Sequence, residues 1–420
     1  MRRSLVLAAL AALTARPSDR LTAQHILPPA AVLGFEPGTD SMLARWREVS
    51  GYLNGLAAAS PYVRVDTLGR TTEGRPFQLV TITSPANQAR LALIKRGQRL
   101  LADPRRLSDE LFDSLRAAQP AVILISNNIH ATEVASSLMG LTLAHRLAAE
   151  PALTGLLDSV VVLMIPSMNP DGLDTVVAWY RRYRGTPYEG GPLPWLYHKY
   201  VGHDNNRDWF MVTQEETRLV TRMLYHEWFP LAVYDIHQMG ETGPRFFVPP
   251  MRDPVNLNLD PAIVASISLI GSHMAANLYG AGKRGIVHEL QFDLWWHGGF
   301  RSTPTRHNMV GVLSEAASVR LGSPVVLTRD QVRQPPAGVG HPGPWEGGVW
   351  SLRDIIEYEL IAATSFIRLA ARDRVSYLER FVGAARRAVA AGERGDPFAY
   401  VLAPPLDQRD AGATSHASWS

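Results

Sequence analysis

At 420 residues, with 46% hydrophobic and 19% charged side chains, the chain can build one large or two medium folded domains, and global disorder is excluded. A net charge of +3 is too small to imply a nucleic-acid partner. There is no cysteine, which excludes disulfides, thiolate catalysis and cysteine-built zinc sites, so any bound metal must rest on histidines and carboxylates.

The amino terminus, MRRSLVLAALAALTA, places two arginines before a short apolar stretch, and polar RPSDRLTAQ follows. That is the layout of a secretory signal, with an apolar core too short to cross a bilayer. An amphipathic helix is the rival reading, but Leu5 to Leu13 is apolar on every side. Residues 1–24 are therefore expected to be a signal peptide and lead-in, and the protein to be exported to the periplasm or the extracellular space. No later stretch is expected to be long and apolar enough to span a membrane.

After a Pro/Gly-rich lead-in, residues 41–59 carry apolar positions at helical spacing. YVRVDTLGRTTEGRPFQLVTIT reads as a hairpin, two alternating runs around a turn with Gly and Pro. The pattern then becomes apolar strand, loop, helix. AVILIS (121–126), VVVLMI (160–165), LAVYDI (231–236) and MVGVLS (309–314) are the strands, and helical stretches such as 213–228 lie between them. Short buried runs alternating with helices predict an α/β fold: a mixed, largely parallel twisted sheet flanked by helices. The catalytic domain is expected over 40–372. Residues 373–420 form a helical extension, continuous with the helix before it, that runs into PFAYVLAPP, a lone strand-like segment, and a polar tail. That ending reads as the entry to a further domain in a longer arrangement.

Each of the four strands is followed at once by polar residues of catalytic type. In open α/β sheets ligands bind outside the carboxyl ends of the strands, so these ends are expected to converge. They supply His130 and Glu133, Asn169 and Asp171, His237, and Glu315. Two histidines and a carboxylate are the protein ligands of a catalytic zinc that keeps a position for water. Taken singly, each signal is weak. His130 and Glu133 also fit a loop in which Asn128 or Thr132 caps the next helix, with Glu133 favourable in its first turn. His237 alone suits a hydrogen-bonded core histidine. Glu315, between Ser314 and Ala316, is a carboxylate in an apolar context and hence a candidate base with a raised pKa. Asn206 and Arg207, in GHDNNRDWF, offer paired N–H donors to a carboxylate, although Asp-Asn-Asn also forms surface turns. In WYRRYRG one arginine could hold an oxyanion, although most such runs are solvated faces.

The ordered set HATE, NPDG with arginines after it, NNRDW, YDIHQ and LSEAAS resembles the zinc carboxypeptidases of the carboxypeptidase A type, in an exported, bacterial-looking form, over roughly residues 45–370. The gap from Arg207 to His237 is shorter than in the digestive members. The resemblance implies one zinc per chain on His130, Glu133 and His237, with Glu315 as general base. It implies Arg184 for the oxyanion, with Arg181 the lesser choice, and Asn206 and Arg207 for the substrate's terminal carboxylate. It places the side-chain pocket residue at Phe300 or Arg301, and Arg301 would favour acidic side chains. Asn169 and Asp171 are read as structural. One departure is the tyrosine that usually covers the substrate: no tyrosine lies between Tyr279 and Glu315, where Trp295, Trp296 or His297 can cover the site or pack at its rim.

The implied activity is hydrolysis of C-terminal peptide bonds of a substrate with a free carboxylate. The rivals are a zinc amidohydrolase acting on cell-wall peptides and a non-catalytic zinc-binding protein of the same fold. Side-chain preference and oligomeric state are left open by the sequence.

Overall fold

A computed structural model describes residues 26–193, 198, 200–395, 399 and 401. The expected signal segment and most of the strand-like PFAYVLAPP and its tail lie outside the described residues.

The predicted hairpin is β1 (Val63–Arg70) and β2 (Pro76–Ile82), paired antiparallel. The four apolar runs are β3 (Ala121–Ser126), β4 (Val160–Ile165), β5 (Ala232–Met239) and β8 (Val310–Ala317), with two-residue β6 (Phe246–Phe247) and β7 (Ile286–Val287) between the last two. The eight form one sheet in the order β1-β2-β4-β3-β5-β8-β6-β7. Its middle four strands are parallel, while β2 and β6 run antiparallel to their inner neighbours. Every residue of β3 and β4 is buried, as strands covered on both faces require, whereas in edge strand β1 only Val63 is buried.

Helices cover the sheet. The first long one, α1 (Trp46–Ala59), buries Trp46, Val49, Leu53 and Leu56, the spacing of one helix face. α2 (Ala135–Ala149) follows β3, and α3 (Pro170–Tyr183) follows β4. The Asn169 side chain caps α3 by accepting from Gly172 N at 2.9 Å, with Pro170 at the first helical position. The helix expected over 213–228 is Glu215–Arg222, widening into a π-helical turn over Met223–Trp228. α4 (Pro261–Gly280) corrects one expectation, because it is long and apolar enough to cross a membrane by length and composition. Ile263, Ile267, Ile270, Met274 and Leu278 on it are buried, which is the role of a core helix.

The helical run near the carboxyl end is two helices, α5 (Leu352–Arg372) and α6 (Arg374–Arg394), broken at Asp373. α6 lies against α4, α5 and β3, with Tyr377, Leu378, Phe381 and Val382 in the main core. The elements thus leave the carboxyl ends of β3, β5 and β8 side by side.

Candidate metal centre

β3 ends at Ser126, and the chain turns sharply through Asn128, whose φ of 56° lies in the left-handed region that asparagine tolerates better than most residues. Its side-chain amide donates to the carbonyls of His130, Ala131 and Glu133 at 3.1–3.3 Å, and its Oδ1 accepts from Ser167. The segment carrying the first two ligands is therefore wrapped around one buried amide. Neither Asn128 nor Thr132 caps α2, as the capping alternative would require. The Ala135 N–H is taken instead by Gln238 Oε1, at 2.9 Å, from the residue after His237. Helix and strand ends are tied to each other at the site.

In the parallel pairing of β5 with β8, His237 stands opposite Glu315, and Asp235 precedes it by two on the same face. His130, Glu133 and His237 each offer a ligand atom, all within 4.8 Å of one another. The two Nδ1 atoms are 3.3 Å apart, while Glu133 lies 2.7 Å from His130 Nδ1 and 3.0 Å from His237 Nδ1. Ligand atoms about 2.0–2.1 Å from a tetrahedral zinc are spaced by about 3.3 Å, so the donor set fits that ion.

Each ring has a carboxylate behind it. His237 Nε2 is 2.8 Å from Asp235 Oδ2, and His130 Nε2 is 3.1 Å from Asp204 Oδ1. Ionised carboxylates only accept, so both imidazoles keep a proton on Nε2 and turn Nδ1 to the centre. Asp235 is held in turn by Ser126 Oγ at 2.9 Å, and Asp204 by Asn206 N at 2.7 Å. The Asn206 amide nitrogen lies 3.3 Å from His237 Nε2, the weaker of that atom's two contacts.

Without a metal, burial disfavours charge on His130, yet Glu133 and Asp204 outweigh it and push the imidazole up to about 9. Burial likewise raises Glu133, but the two histidines pull it down to about 2. Glu315 behaves the opposite way. Burial, aided by Glu133 and Asp235 and opposed by the histidines, pushes it up to about 7, and its carboxyl makes no hydrogen bond to any described residue.

The expected site residues divide. His130, Glu133, His237 and Glu315 come together, and Asn206 is in contact with His237. Arg207 is next to them, its Nη1 on Asn206 O at 3.0 Å. Arg301 is half-buried, near enough to Glu315 and Arg207 for their charges to interact, and it donates to Asp293 O. Phe300 is fully buried, packs on Trp209 and gives its N–H to Asn206 Oδ1 at 2.7 Å.

Arg184 is not brought to the cluster. It ends α3, exposed, with Nη1 on Ser41 O at 3.3 Å, and Arg181 donates to Leu43 O at 2.7 Å. The reason is the helix itself, since the thirteen positions from Asp171 to Arg184 rise about 20 Å away from the NPDG end. Asn169 and Asp171 are structural as expected. Asp171 accepts from Thr71 Oγ1 and Arg75 Nη1, both at 2.7 Å, and so holds the β1–β2 turn. Trp296 lies against Arg207, and Trp295 is largely exposed. Asp204, Asp235 and Gln238 are not singled out by the sequence, and Asn128 reads there only as a helix cap. The clue available was the carboxylate two before His237 on one strand face.

Residues 49–224 match the model of the zinc carboxypeptidase family. That stretch includes His130, Glu133, Asn206 and Arg207, and the fold brings His237 and Glu315 to it. Human carboxypeptidase D is 31% identical over 134 residues, 30% of this chain, and the match spans 9% of that protein's length. A metallo-carboxypeptidase from Pseudomonas aeruginosa, solved in complex with (2-guanidinoethylmercapto)succinic acid, is 15% identical with a TM-score of 0.50, over 79% of this chain and 69% of its own. Thrombin-activatable fibrinolysis inhibitor is 13% identical with a TM-score of 0.50, over 83% of this chain and 78% of its own. At these identities the structural likeness is one of fold.

Proposed function

We propose, from the match of residues 49–224 to the zinc carboxypeptidase family, that this chain is a member of it and releases the C-terminal residue of peptides by hydrolysis. The observation that carries the proposal is Glu315 standing opposite His237 in the sheet, beside two histidines and a carboxylate spaced as zinc ligands. A zinc bound to His130, Glu133 and His237 would supply Lewis acidity, bringing the pKa of water toward about 7 and polarising the scissile carbonyl.

The remaining work falls to the chain's own residues. Glu315, whose carboxyl has no hydrogen bond among the described residues and whose pKa burial raises to about 7, takes a proton from the attacking water and returns it to the leaving amine. Asp204 and Asp235 keep the two imidazoles in one tautomer and orientation. Asn206 and Arg207 bind the substrate's terminal carboxylate, the guanidinium through paired N–H donors. Arg301, a half-buried cation near Glu315, favours an acidic side chain on the released residue. Export of the enzyme belongs to the same proposal and rests on MRRSLVLAALAALTA. Fractionation of cells expressing the full chain tests it.

The central experiment measures metal content and amino-acid release from peptides varied at the C-terminal residue, for wild type and Glu315→Gln. One zinc per chain in both, with release by the wild type alone, is the expected result. Zinc in both with no release from any peptide would sink the carboxypeptidase reading and leave a metal-binding protein or a hydrolase of other amides.

A further inference from the structure

The loop that runs from Trp295 to Arg301 touches both members of the carboxylate-binding pair. Phe300 N donates to Asn206 Oδ1 at 2.7 Å, which fixes the first. The second, Arg207, has its guanidinium 5.2 Å from the ring centre of Trp296. Arg207 is otherwise loosely held, with 52% of its side chain exposed. Its polar contacts among the described residues are Asn206 O at 3.0 Å and Asp204 Oδ2 at 3.6 Å, both through Nη1. Nε and Nη2 are left for a ligand.

An arginine half in water has many rotamers, and binding through a fixed fork of donors means giving them up. A flat ring against the guanidinium removes much of that freedom beforehand. Trp296, 39% exposed, is bounded on its other sides: Phe210 meets it edge-on at 6.2 Å and 77°, and a Cβ added at Gly298 would collide with its indole.

We infer that Trp296 is a positioning residue, a platform that presets Arg207 for the substrate's terminal carboxylate. The inference rests on the reading of Asn206 and Arg207 as the carboxylate-binding pair. It assigns the indole a task other than covering the substrate, since one of its faces is already taken by the guanidinium. Leucine at 296 would preserve apolar bulk but not the electron-rich ring face, whereas phenylalanine keeps a weaker one.

The test uses the zinc-loaded chain carrying Glu315→Gln, so that ligand is bound and not consumed. The probes are an N-acetylated dipeptide that the wild type hydrolyses and the same dipeptide as its C-terminal amide, both titrated calorimetrically. The parent is expected to prefer the acid. Adding Trp296→Leu should shrink that preference by about two- to fivefold, with amide affinity unchanged, and Trp296→Phe should restore most of it. Gly298→Ala, which pushes the indole away without changing it, should reproduce the loss. An acid preference untouched by Trp296→Leu and Gly298→Ala would overturn the inference. A parent that binds acid and amide equally would overturn the carboxylate-binding pair, and this platform with it, while metal content and Glu315-dependent release would stand or fall on their own measurements.

Discussion

The bond from His237 Nε2 to Asp235 Oδ2, 2.8 Å long and fully buried, settles which nitrogen of the ring faces the centre. Removing the carboxylate while keeping the shape, Asp235→Asn, leaves a neutral amide that can accept or donate, so the tautomer is no longer imposed. Zinc affinity should fall about 10–100-fold, read by competition with a chelator, and unchanged affinity would deny Asp235 that role. Glu315 is held up near 7 by burial and by the carboxylates of Glu133 and Asp235, against the histidines. A base must be ionised to act, so kcat/KM should fall as pH drops through its pKa. A bound dication favours the carboxylate and brings that limb below 7. Activity that rises on acidification through this range would remove Glu315 as the base. Glu315→Gln should lower release by about 10²–10⁴-fold. Without metal the sign reverses for stability. A folded-state pKa above the ordinary 4.5 means that Glu315 favours folding most below 4.5 and loses that contribution as pH rises through about 7. Metal-free Glu315→Gln should therefore gain melting temperature over the wild type at pH 8 and little at pH 4.

At the scale of elements, the segment between β3 and α2 depends on one residue. Asn128 adopts a positive φ and spends its amide on three carbonyls of the ligand-bearing turn. Asn128→Ala would strain the backbone and orphan buried carbonyls, at a cost of about 2–4 kcal/mol. Urea unfolding of the metal-free protein should show that loss, and the folded variant should bind zinc more weakly; full stability would mean that the turn holds itself. What could be read in advance follows from the same elements. AVILIS and VVVLMI are wholly buried strands and announce themselves as unbroken apolar runs, and their observed bounds are those expected. The ligand residues sit at the ends of such runs, where a polar residue is conspicuous. Asp204 and Gln238 are ordinary loop or strand-end residues whose partners at the site are 74 and 103 positions away, so no local pattern marks them, and Asn128 reads equally well as a helix cap. Arg184 shows the converse. The resemblance assigns it by its place in the order of motifs, but the helix Pro170–Tyr183 carries it about 20 Å along its axis from the NPDG end.

At the scale of the whole molecule, the centre is assembled from distant parts of the chain. His130 and Glu133 follow β3, Asp204 comes from the turn before Arg207, and His237 and Glu315 lie on neighbouring strands. The same surroundings are tied down elsewhere: Asp171 and Glu216 grip the turn of the β1–β2 hairpin through Thr71, Thr72 and Arg75. A metal that joins these segments binds the native arrangement and has no equivalent site in the unfolded chain, so its binding energy adds to stability. In the metal-free protein the two imidazoles hold protons for Glu133, Asp204 and Asp235, and zinc must displace those on Nδ1. Zinc uptake should therefore release protons, and affinity should rise with pH. At free zinc a thousandfold above its Kd the gain is about 4 kcal/mol. For a folded body of this size that is a melting temperature about 5 °C higher than in chelator. Calorimetric scans with and without chelator measure this directly, and the same comparison on His237→Ala should show no difference. A wild type whose melting point ignores both chelator and added zinc would mean that these ligand atoms, though close, do not hold the ion.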